Sequence, residues 1–164
     1  MKPERDFLVE TLRTAGVRGK IHDSLKTLKN CNEVHVGAVL RVNEKFTRSG
    51  SKKRYTDQAG HRKQRNKLFD RITKLHVVIA DSEESKVESI FTKFLQELSK
   101  GFAVDGNWVG IELEDADWVE QGDSILKSKV AVEFDVIITG GVYKDINLVD
   151  AEVGKIKANP EKEG

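Results

Sequence analysis

The clearest pattern along the chain is an alternation of apolar and polar positions that begins at Val34. Val34, Val36, Ala38, Leu40 and Val42 alternate with His35, Gly37, Val39, Arg41 and Asn43. A period of two is typical of a strand with one buried face. The alternation continues through Glu44 and Phe46, but at Glu44 the face that is predicted to be buried becomes polar. We therefore predict a strand that runs beyond the core.

Residues 47–67 contain almost nothing to bury, and a second strand is predicted from Leu68 through Ile72, Leu75, Val77 and Ile79. A strand, a polar tip and a second strand predict a hairpin whose end projects from the domain. We place this extended basic hairpin at residues 41–74. Part of the tip is expected to be disordered in the free protein, because it has so few groups to bury.

Two stretches have the period of amphipathic helices. Residues 3–15 combine Pro3, suited to a first helical turn, with apolar positions at helical spacing. Asp81-Ser-Glu-Glu84 favours a second helix start, and apolar residues from Val87 to Leu98 then recur at steps of three and four until Gly101. A short helical turn is also compatible with residues 24–28.

Two further strands are predicted, at residues 108–114 and 125–139. In the second, Leu126, Val130, Val132, Phe134, Val136 and Ile138 line one face, opposite Lys127, Lys129, Glu133 and Asp135. Gly140-Gly141 is expected to break this strand. The element order predicts an α+β fold: an antiparallel or mixed β-sheet with two helices packed on one face and a long protruding basic β-hairpin. We expect one domain over residues 1–153 and a flexible C-terminal tail at 154–164.

Charge is strongly segregated although the 164-residue chain has a net charge of only +1. Residues 41–74 hold twelve Lys or Arg and three Asp or Glu, a net charge of +9. Residues 75–164 hold nine and nineteen, a net charge of −10. A basic segment joined to an acidic remainder is suited to binding a partner, or further copies of the chain, by charge complementarity.

No catalytic motif is present: the sequence has no phosphate-binding loop, G-x-S-x-G elbow, H-E-x-x-H pair or C-x-x-C. We therefore expect no enzyme activity and no cofactor.

His35 and His76 could share a metal or acid–base role, although separate structural roles are favoured. Cys31, the one cysteine, is expected to be a small buried side chain. The charged N-terminus and the lack of a long apolar run predict cytoplasmic assembly without membrane contact.

An acidic stretch, from Glu112 to Asp117, lies between Trp108 and Trp118. Its carboxylates could chelate a hard cation, but the spacing of a calcium loop is missing. We favour a solvated hairpin end or an acidic match to a neighbour's basic segment, so Glu112, Glu114, Asp115 and Asp117 are the candidate inter-subunit acidic surface. The tryptophans are expected to be core or hairpin anchors, with a partner contact as the second possibility.

The predicted hairpin tip supplies the candidate contact residues. Its cations surround one aromatic residue and suit either phosphate groups with a stacked base or an acidic protein surface. The candidates are Lys52, Lys53, Arg54, Tyr55, Arg62, Lys63 and Arg65.

Several segments together resemble the tail-terminator, or tail-completion, proteins of tailed bacteriophages and phage-tail-like bacteriocins. The resemblance covers roughly residues 5–145. It is carried by Glu33-Val-His-Val-Gly-Ala-Val-Leu-Arg41, Lys67-Leu-Phe-Asp-Arg71 leading into Leu75-His-Val-Val-Ile79, Asp105-Gly-Asn-Trp-Val-Gly-Ile111, Asp115-Ala-Asp-Trp118 and the strand from Val130 to Gly141.

The resemblance implies a structural role in a virion or tail-like particle assembled in the bacterial cytoplasm. Such proteins form a hexameric ring on the head-proximal end of the tail tube and stop its polymerisation. In contractile tails they also bind the last sheath ring, and they present the surface that meets the head connector. The implied partners are further copies of the chain, the tube protein, the sheath protein if the tail is contractile, and the connector, with DNA in the lumen as a further candidate.

Two alternatives remain open from the sequence. One is another neck or head–tail joining protein of the same particle. The other is a nucleic-acid-binding module that uses the basic hairpin.

Overall fold

The fold is a single curled β-sheet with helices on both faces. The computed structural model describes residues 2–120 and 130–149, and in this part of the chain seven strands and three helices are present. The elements are α1 (Lys2–Ala15), β1 (Ile21–His22), α2 (Leu25–Lys29), β2 (Val36–Arg48), β3 (Lys52–Thr56), β4 (Arg62–Asp81), α3 (Glu84–Glu97), β5 (Gly101–Val104), β6 (Asn107–Val119) and β7 (Val130–Asn147). The sheet order is β1-β2-β4-β7-β6-β5, and β3 also pairs with β4.

The projecting hairpin is confirmed, but it has three strands. β2 and β3 follow one another along the same edge of β4, because Arg48 pairs with Phe69 and Lys52 with Asn66. β7 pairs with the other edge of β4 along nearly its whole length. The second strand of the hairpin begins at Arg62 instead of Leu68, so the segment expected to be partly disordered is paired. Backbone pairing holds the tip although its side chains bury little.

The main core lies between the sheet and the two long helices, which confirms two helices on one face. Leu8 and Leu12 of α1 and Val87 and Phe94 of α3 are buried there. From the sheet, the same core receives alternate residues of the long strands. These are Val39, Leu75, Val77, Ile79, Val109, Ile111, Val132, Phe134, Val136 and Ile138. The predicted apolar face of β7 is therefore correct from Val132 onward.

A smaller core lies on the opposite face of the sheet, under α2. Leu28 of that helix packs with Val36, Ala38, Leu40 and Val78. The short helical turn compatible with residues 24–28 is confirmed as α2, which Ser24 caps by accepting from the Thr27 backbone N–H.

The prediction that β2 has one buried face is wrong. Residues 36–40 are buried on both sides of the sheet, while Val34 and Val42 are about half exposed at 54% and 48%. The alternating residues Val36, Ala38 and Leu40 pack under α2, whereas Val39 on the opposite face enters the main core, so both faces of this segment are covered.

Gly140-Gly141 does not break β7, which is another correction. The strand continues to Asn147 because β4 pairs with it on both sides of the glycines. The predicted residues 125–129 of this strand, including Leu126, Lys127 and Lys129, lie outside the described residues, as does the tail at 154–164.

The sequence reading also missed β5. It forms a hairpin with β6 through Asp105-Gly106, where both residues have positive φ, as a type I′ turn requires. β6 runs on to Val119, five residues past its predicted end at Glu114. None of the described helices is long and apolar enough to span a bilayer.

Candidate functional site

The candidate contact residues lie on an extension of the sheet that we call the arm, made of residues 52–67 and 143–147. Directly opposed residues of antiparallel strands place their side chains on the same face. The register therefore sorts the arm into two faces. One carries Lys53, Tyr55, Lys63, Arg65 and Asp145, and the other carries Lys52, Arg54, Arg62, Gln64, Asn66, Lys144 and Ile146.

On the first face, Lys63 and Arg65 are paired with carboxylates of the chain, while Lys53 is exposed. Arg65 makes a two-pronged ion pair with Asp145, with Nε–Oδ1 at 2.7 Å and Nη2–Oδ2 at 2.8 Å. The Tyr55 hydroxyl donates to the same carboxylate at 3.0 Å, and the Arg65 guanidinium lies 5.2 Å from the Tyr55 ring centre. The hydrogen bonds from Arg65 and Tyr55 lower the pKa of Asp145 to about 2. Tyr55 and Arg65 are therefore structural members of the arm.

The tip of the arm is held by Asp57. Its Oδ1 accepts from the backbone N–H groups of Ala59 and His61, at 3.0 and 2.8 Å. Its other oxygen lies 3.1 Å from Lys63 Nζ. The hydrogen bond from His61, with help from Lys63, lowers the pKa of Asp57. Lys63 is thus engaged in shaping the turn.

The second face carries cations without acids. Lys52, Arg54 and Lys144 are exposed there, and no carboxylate occupies this face among the paired residues 52–56, 62–66 and 144–146. Arg62 is exposed on the same side, and Ile146 is 41% exposed. We call these exposed cations, Lys52, Arg54 and Lys144, the basic face. Sequence reasoning missed Lys144 because it lies in the acidic part of the chain.

The predicted acidic residues form part of a larger patch on the side of the sheet away from the two long helices. Glu112 pairs in register with Ile137, and Asp117 pairs with Glu133. By alternation along β6 and β7, four acids share this face: Glu112, Asp117, Glu133 and Asp135. Glu114 joins them through an ion pair with Lys74 at 2.6 Å, at a bulge in β6 between Leu113 and Ala116. Asp115 lies in the same bulge.

Two side chains that can carry positive charge, Lys74 and His76, lie within the acidic patch. Lys74 lies 2.9 Å from Asp135, and His76 Nδ1 lies 2.7 Å from the other oxygen of that carboxylate. Hydrogen bonds to Glu133 and to Asp135 raise the pKa of His76, while its partial burial acts in the opposite direction. Burial would raise the pKa of Asp135, but its hydrogen bonds with Lys74 and His76 outweigh burial and lower it.

The two histidines have separate partners. His35 Nδ1 lies 3.0 Å from Asp81, and its Nε2 accepts from the Arg18 backbone N–H at 3.1 Å. His76 belongs to the acidic patch. Within residues 2–120 and 130–149, no three His, Cys, Asp or Glu side chains are placed as metal ligands would be.

The tryptophans are not core residues. Trp108 is 65% exposed and covers Gly101 across the β5–β6 hairpin, so it is a hairpin anchor. Trp118 is 44% exposed and meets the Phe91 ring edge-on. Cys31 is partly buried beside the smaller core.

A cleft of about 450 Å³ separates the base of the arm from the β5–β6 turn. Arg65 reaches across it to the Asp105 carbonyl oxygen at 2.8 Å. Arg71 lies at its floor, where its Nε donates to Glu44 at 3.0 Å and its Nη1 lies 3.4 Å from Glu4. Both arginines are engaged by carboxylates, and the hydrogen bond from Arg65 to the Asp105 carbonyl oxygen links the arm to the β5–β6 turn.

Comparison with known proteins gives little sequence likeness. No protein-family model matches the chain, and no curated protein matches it. Among solved structures, the chain is similar to a chain of the virion of a native gene transfer agent particle, with 11% identity and a TM-score of 0.41. That similarity covers 84% of this chain and 92% of the other.

Proposed function

We propose that this protein is a tail terminator, which forms a ring on the head-proximal end of a phage or phage-like tail tube and stops its growth. The observation that supports this most directly is the arm, a paired three-stranded extension with one face whose arginine and tyrosine bind an aspartate of the chain and one face that carries cations without acids. A stiff, one-sided projection is suited to a fixed contact in an assembly, because little conformational entropy is lost when it binds.

The separation of charge supports assembly from identical copies. A ring needs heterologous contacts, in which two different surfaces of one chain meet. Here the cations Arg41, Lys45 and Arg48 lie on β2, toward one side of the sheet, and the acidic patch lies on β6 and β7, toward the other side. Complementary charges on two surfaces make the contact between copies specific and speed up their association, while the free chain keeps a charged surface.

In this proposal the ring copies are held by the body of the domain, and the basic face of the arm contacts the tube or the adjoining ring. Lys52, Arg54 and Lys144 carry that contact. Lys63 and Arg65, which the sequence placed in the contact set, hold the arm in shape instead.

The test is tail length in the particle-producing bacterium. Deletion of the gene should give tails of uncontrolled length under the electron microscope, and the wild-type gene should restore uniform tails. The triple variant Lys52→Glu, Arg54→Glu, Lys144→Glu should fold but fail to restore them.

A matched control reverses three exposed lysines away from the arm: Lys29→Glu, Lys93→Glu and Lys100→Glu. It makes the same change in net charge and should restore uniform tails. Tails of normal length in the deletion strain would refute the proposed function. Normal tails with the arm triple variant would refute the role of the basic face.

A second candidate function is nucleic-acid binding, which the acid-free basic face favours. It predicts that the purified protein binds duplex or single-stranded DNA with an affinity that falls steeply with salt. Absence of binding at physiological salt would count against it, and the arm triple variant should abolish any binding seen.

A further inference from the structure

Among the described residues, 2–120 and 130–149, the sheet has two long unpaired edges, one on each side. On one side, β1 covers β2 only at Gly37 and Ala38, and no described strand pairs with the outer edge of residues 39–48. On the other side, β5 covers β6 only up to Gly110, and no described strand pairs with the outer edge of residues 111–119. Free strand edges present unpaired N–H and C=O groups to another strand.

The two edges have opposite charge. The β2 edge carries Arg41, Lys45 and Arg48, while its one acid, Glu44, is held by Arg71. The β6 edge carries Glu112, Glu114, Asp115 and Asp117 and no cation. Pairing either edge with itself would oppose like charges, which is unfavourable, and pairing the two unlike edges would match them.

The direction of the strands also fits. β2 is antiparallel to β4, β4 to β7 and β7 to β6, so β2 and β6 run in opposite directions. If copies are related by rotation about an axis roughly along the strands, β6 of one copy lies antiparallel to β2 of the next. The two long helices then stay on the same side of the joined sheet.

The two edges also cover the same stretch of the sheet along the strand direction. Ile111 lies at the same position along the strands as Glu44, because Ile111 pairs with Ile138, Ile138 with Thr73 and Thr73 with Glu44. Ala116 is level with Val39, through Phe134 and Val77. Six residues on each edge thus face one another without any sliding of one copy along the next.

From this geometry we infer that the copies join edge to edge, with β6 of one chain adding as an antiparallel strand to β2 of the next. The occupant of each edge is therefore a second copy of this chain. The inference rests on the proposed ring and specifies its subunit contact. The arm lies beyond this contact and stays available for the tube.

Cysteine cross-linking tests the pairing directly. In a Cys31→Ser background, Glu112→Cys is combined in turn with Asn43→Cys, Lys45→Cys or Thr47→Cys, all exposed and on the face of the acidic patch. The two sites lie on opposite edges of one chain, so a disulfide between them joins copies. At least one pair should give a ladder of covalent oligomers on a non-reducing gel, in the purified protein or in assembled particles.

The control combines Glu112→Cys with Glu88→Cys, which is exposed on α3, and should give no ladder. If none of the three edge pairs cross-links in either preparation, the inference is wrong.

Charge exchange gives a second, independent test. Glu112→Lys or Lys45→Glu should raise the concentration needed for half-assembly several-fold, because the two side chains lie on the same face at diagonal positions of the proposed pairing and like charges then become neighbours. The chain with both changes restores opposite charges across the edge and should assemble like the wild type. The control Glu88→Lys on α3 should have no effect.

The outcomes separate the two proposals. If edge-variant genes restore uniform tails in the deletion strain, and the half-assembly concentration of the purified variants equals that of the wild type, the edge pairing is wrong. The tail-terminator function would still stand. Normal tails in the deletion strain would overturn the function, whatever the cross-links show.

Discussion

The body and the arm of this protein share the strands β4 and β7 but are held together by different interactions. In the body, α1 and α3 cover one face of the sheet and α2 covers part of the other, and residues such as Leu75, Phe134 and Val136 are almost completely buried. In the arm, none of residues 52–67 or 143–147 is buried. There the strands depend on backbone pairing and on the contacts of Asp145 and Asp57. The same sheet therefore passes from a region stabilised by burial to one stabilised by polar contacts at the surface.

The difference predicts that damage to the body is global and damage to the arm is local. A substitution in the core should lower the free energy of unfolding of the whole domain, because that core joins both helices to the sheet. A substitution in the arm should loosen the arm and leave the body folded.

The largest expected effect follows from Phe134→Ala. The Phe134 ring lies between Phe91 and Phe94, at centroid distances of 5.1 and 5.2 Å, and is 1% exposed. Truncation should lower the free energy of unfolding by about 3–5 kcal/mol, measured by urea denaturation. Phe46→Ala is the control, because the Phe46 side chain is 50% exposed. It should lower the free energy of unfolding by about 1 kcal/mol or less. Equal losses from the two variants would contradict a body stabilised mainly by burial.

An intermediate effect is expected at the junction, for Arg71→Met. This change removes the guanidinium that contacts both Glu4 and Glu44 and should lower the free energy of unfolding by about 1–3 kcal/mol. The hydrogen bond from Arg71 lowers the pKa of Glu44 even though burial acts against it. The stabilisation is therefore present above the usual carboxyl pKa of about 4.3 and is lost as the pH falls through the lower folded value.

Urea denaturation at pH 7 and at acidic pH measures this effect. The double variant Arg71→Met, Glu44→Gln should recover part of the loss, because it removes a partly buried carboxylate. No recovery would mean that packing of the Arg71 side chain, and not its charge, braces the junction.

The smallest global effect is expected for Asp145→Asn in the arm. The neutral amide loses the two-pronged contact with Arg65, so amide hydrogen exchange in β3 should become several-fold faster while exchange in the body stays unchanged. Asp6→Asn, an exposed change on α1, is the control. Faster exchange throughout the body would show that arm and body unfold as one unit.

The same contact sets a pH dependence of the wild-type arm. The folded pKa of Asp145, about 2, lies below the usual aspartate value of about 3.9. The contribution of Asp145 to arm order is thus complete above about pH 4 and is lost as the pH falls through 2. The NMR signal of the Arg65 Nε–H should keep its position on acidification until that range.

The sequence predicted the body better than the arm. The two long helices and the core face of β7 have apolar positions at a regular period, and such a period reports directly on burial. In β2 the same rule found only the face that packs under α2, because Gly37 and Val39, which line the opposite face, are too few to form an apolar repeat. The Asp105-Gly106 pair was a usable signal for the β5–β6 hairpin, since both positions favour positive φ.

The candidate contact residues were found as a group but could not be divided by function. Composition marks Lys52, Lys63 and Arg65 as equivalent cations. The strand register places Asp145 beside Arg65, although the two residues are 80 positions apart in the sequence. Only this register shows that Lys63 and Arg65 contact acids of the arm, while Lys52 faces outward. Long-range pairing of this kind leaves no local trace in the sequence.

The long pairing of β4 with β7, which shifts register once between Lys67 and Phe69, has a mechanical consequence. The ladder runs from Lys63↔Asn147 at the arm to Asp81↔Val130 at the far end of the body. At roughly 3.3 Å per residue, the 20-residue β4 spans about 65 Å. A load applied at the tip along the strands is therefore shared by many hydrogen bonds at once, as in a shear joint, and reaches the buried centre of the domain without passing through a hinge. A contact made by the tip with a tail under tension would be resisted by the whole length of the sheet.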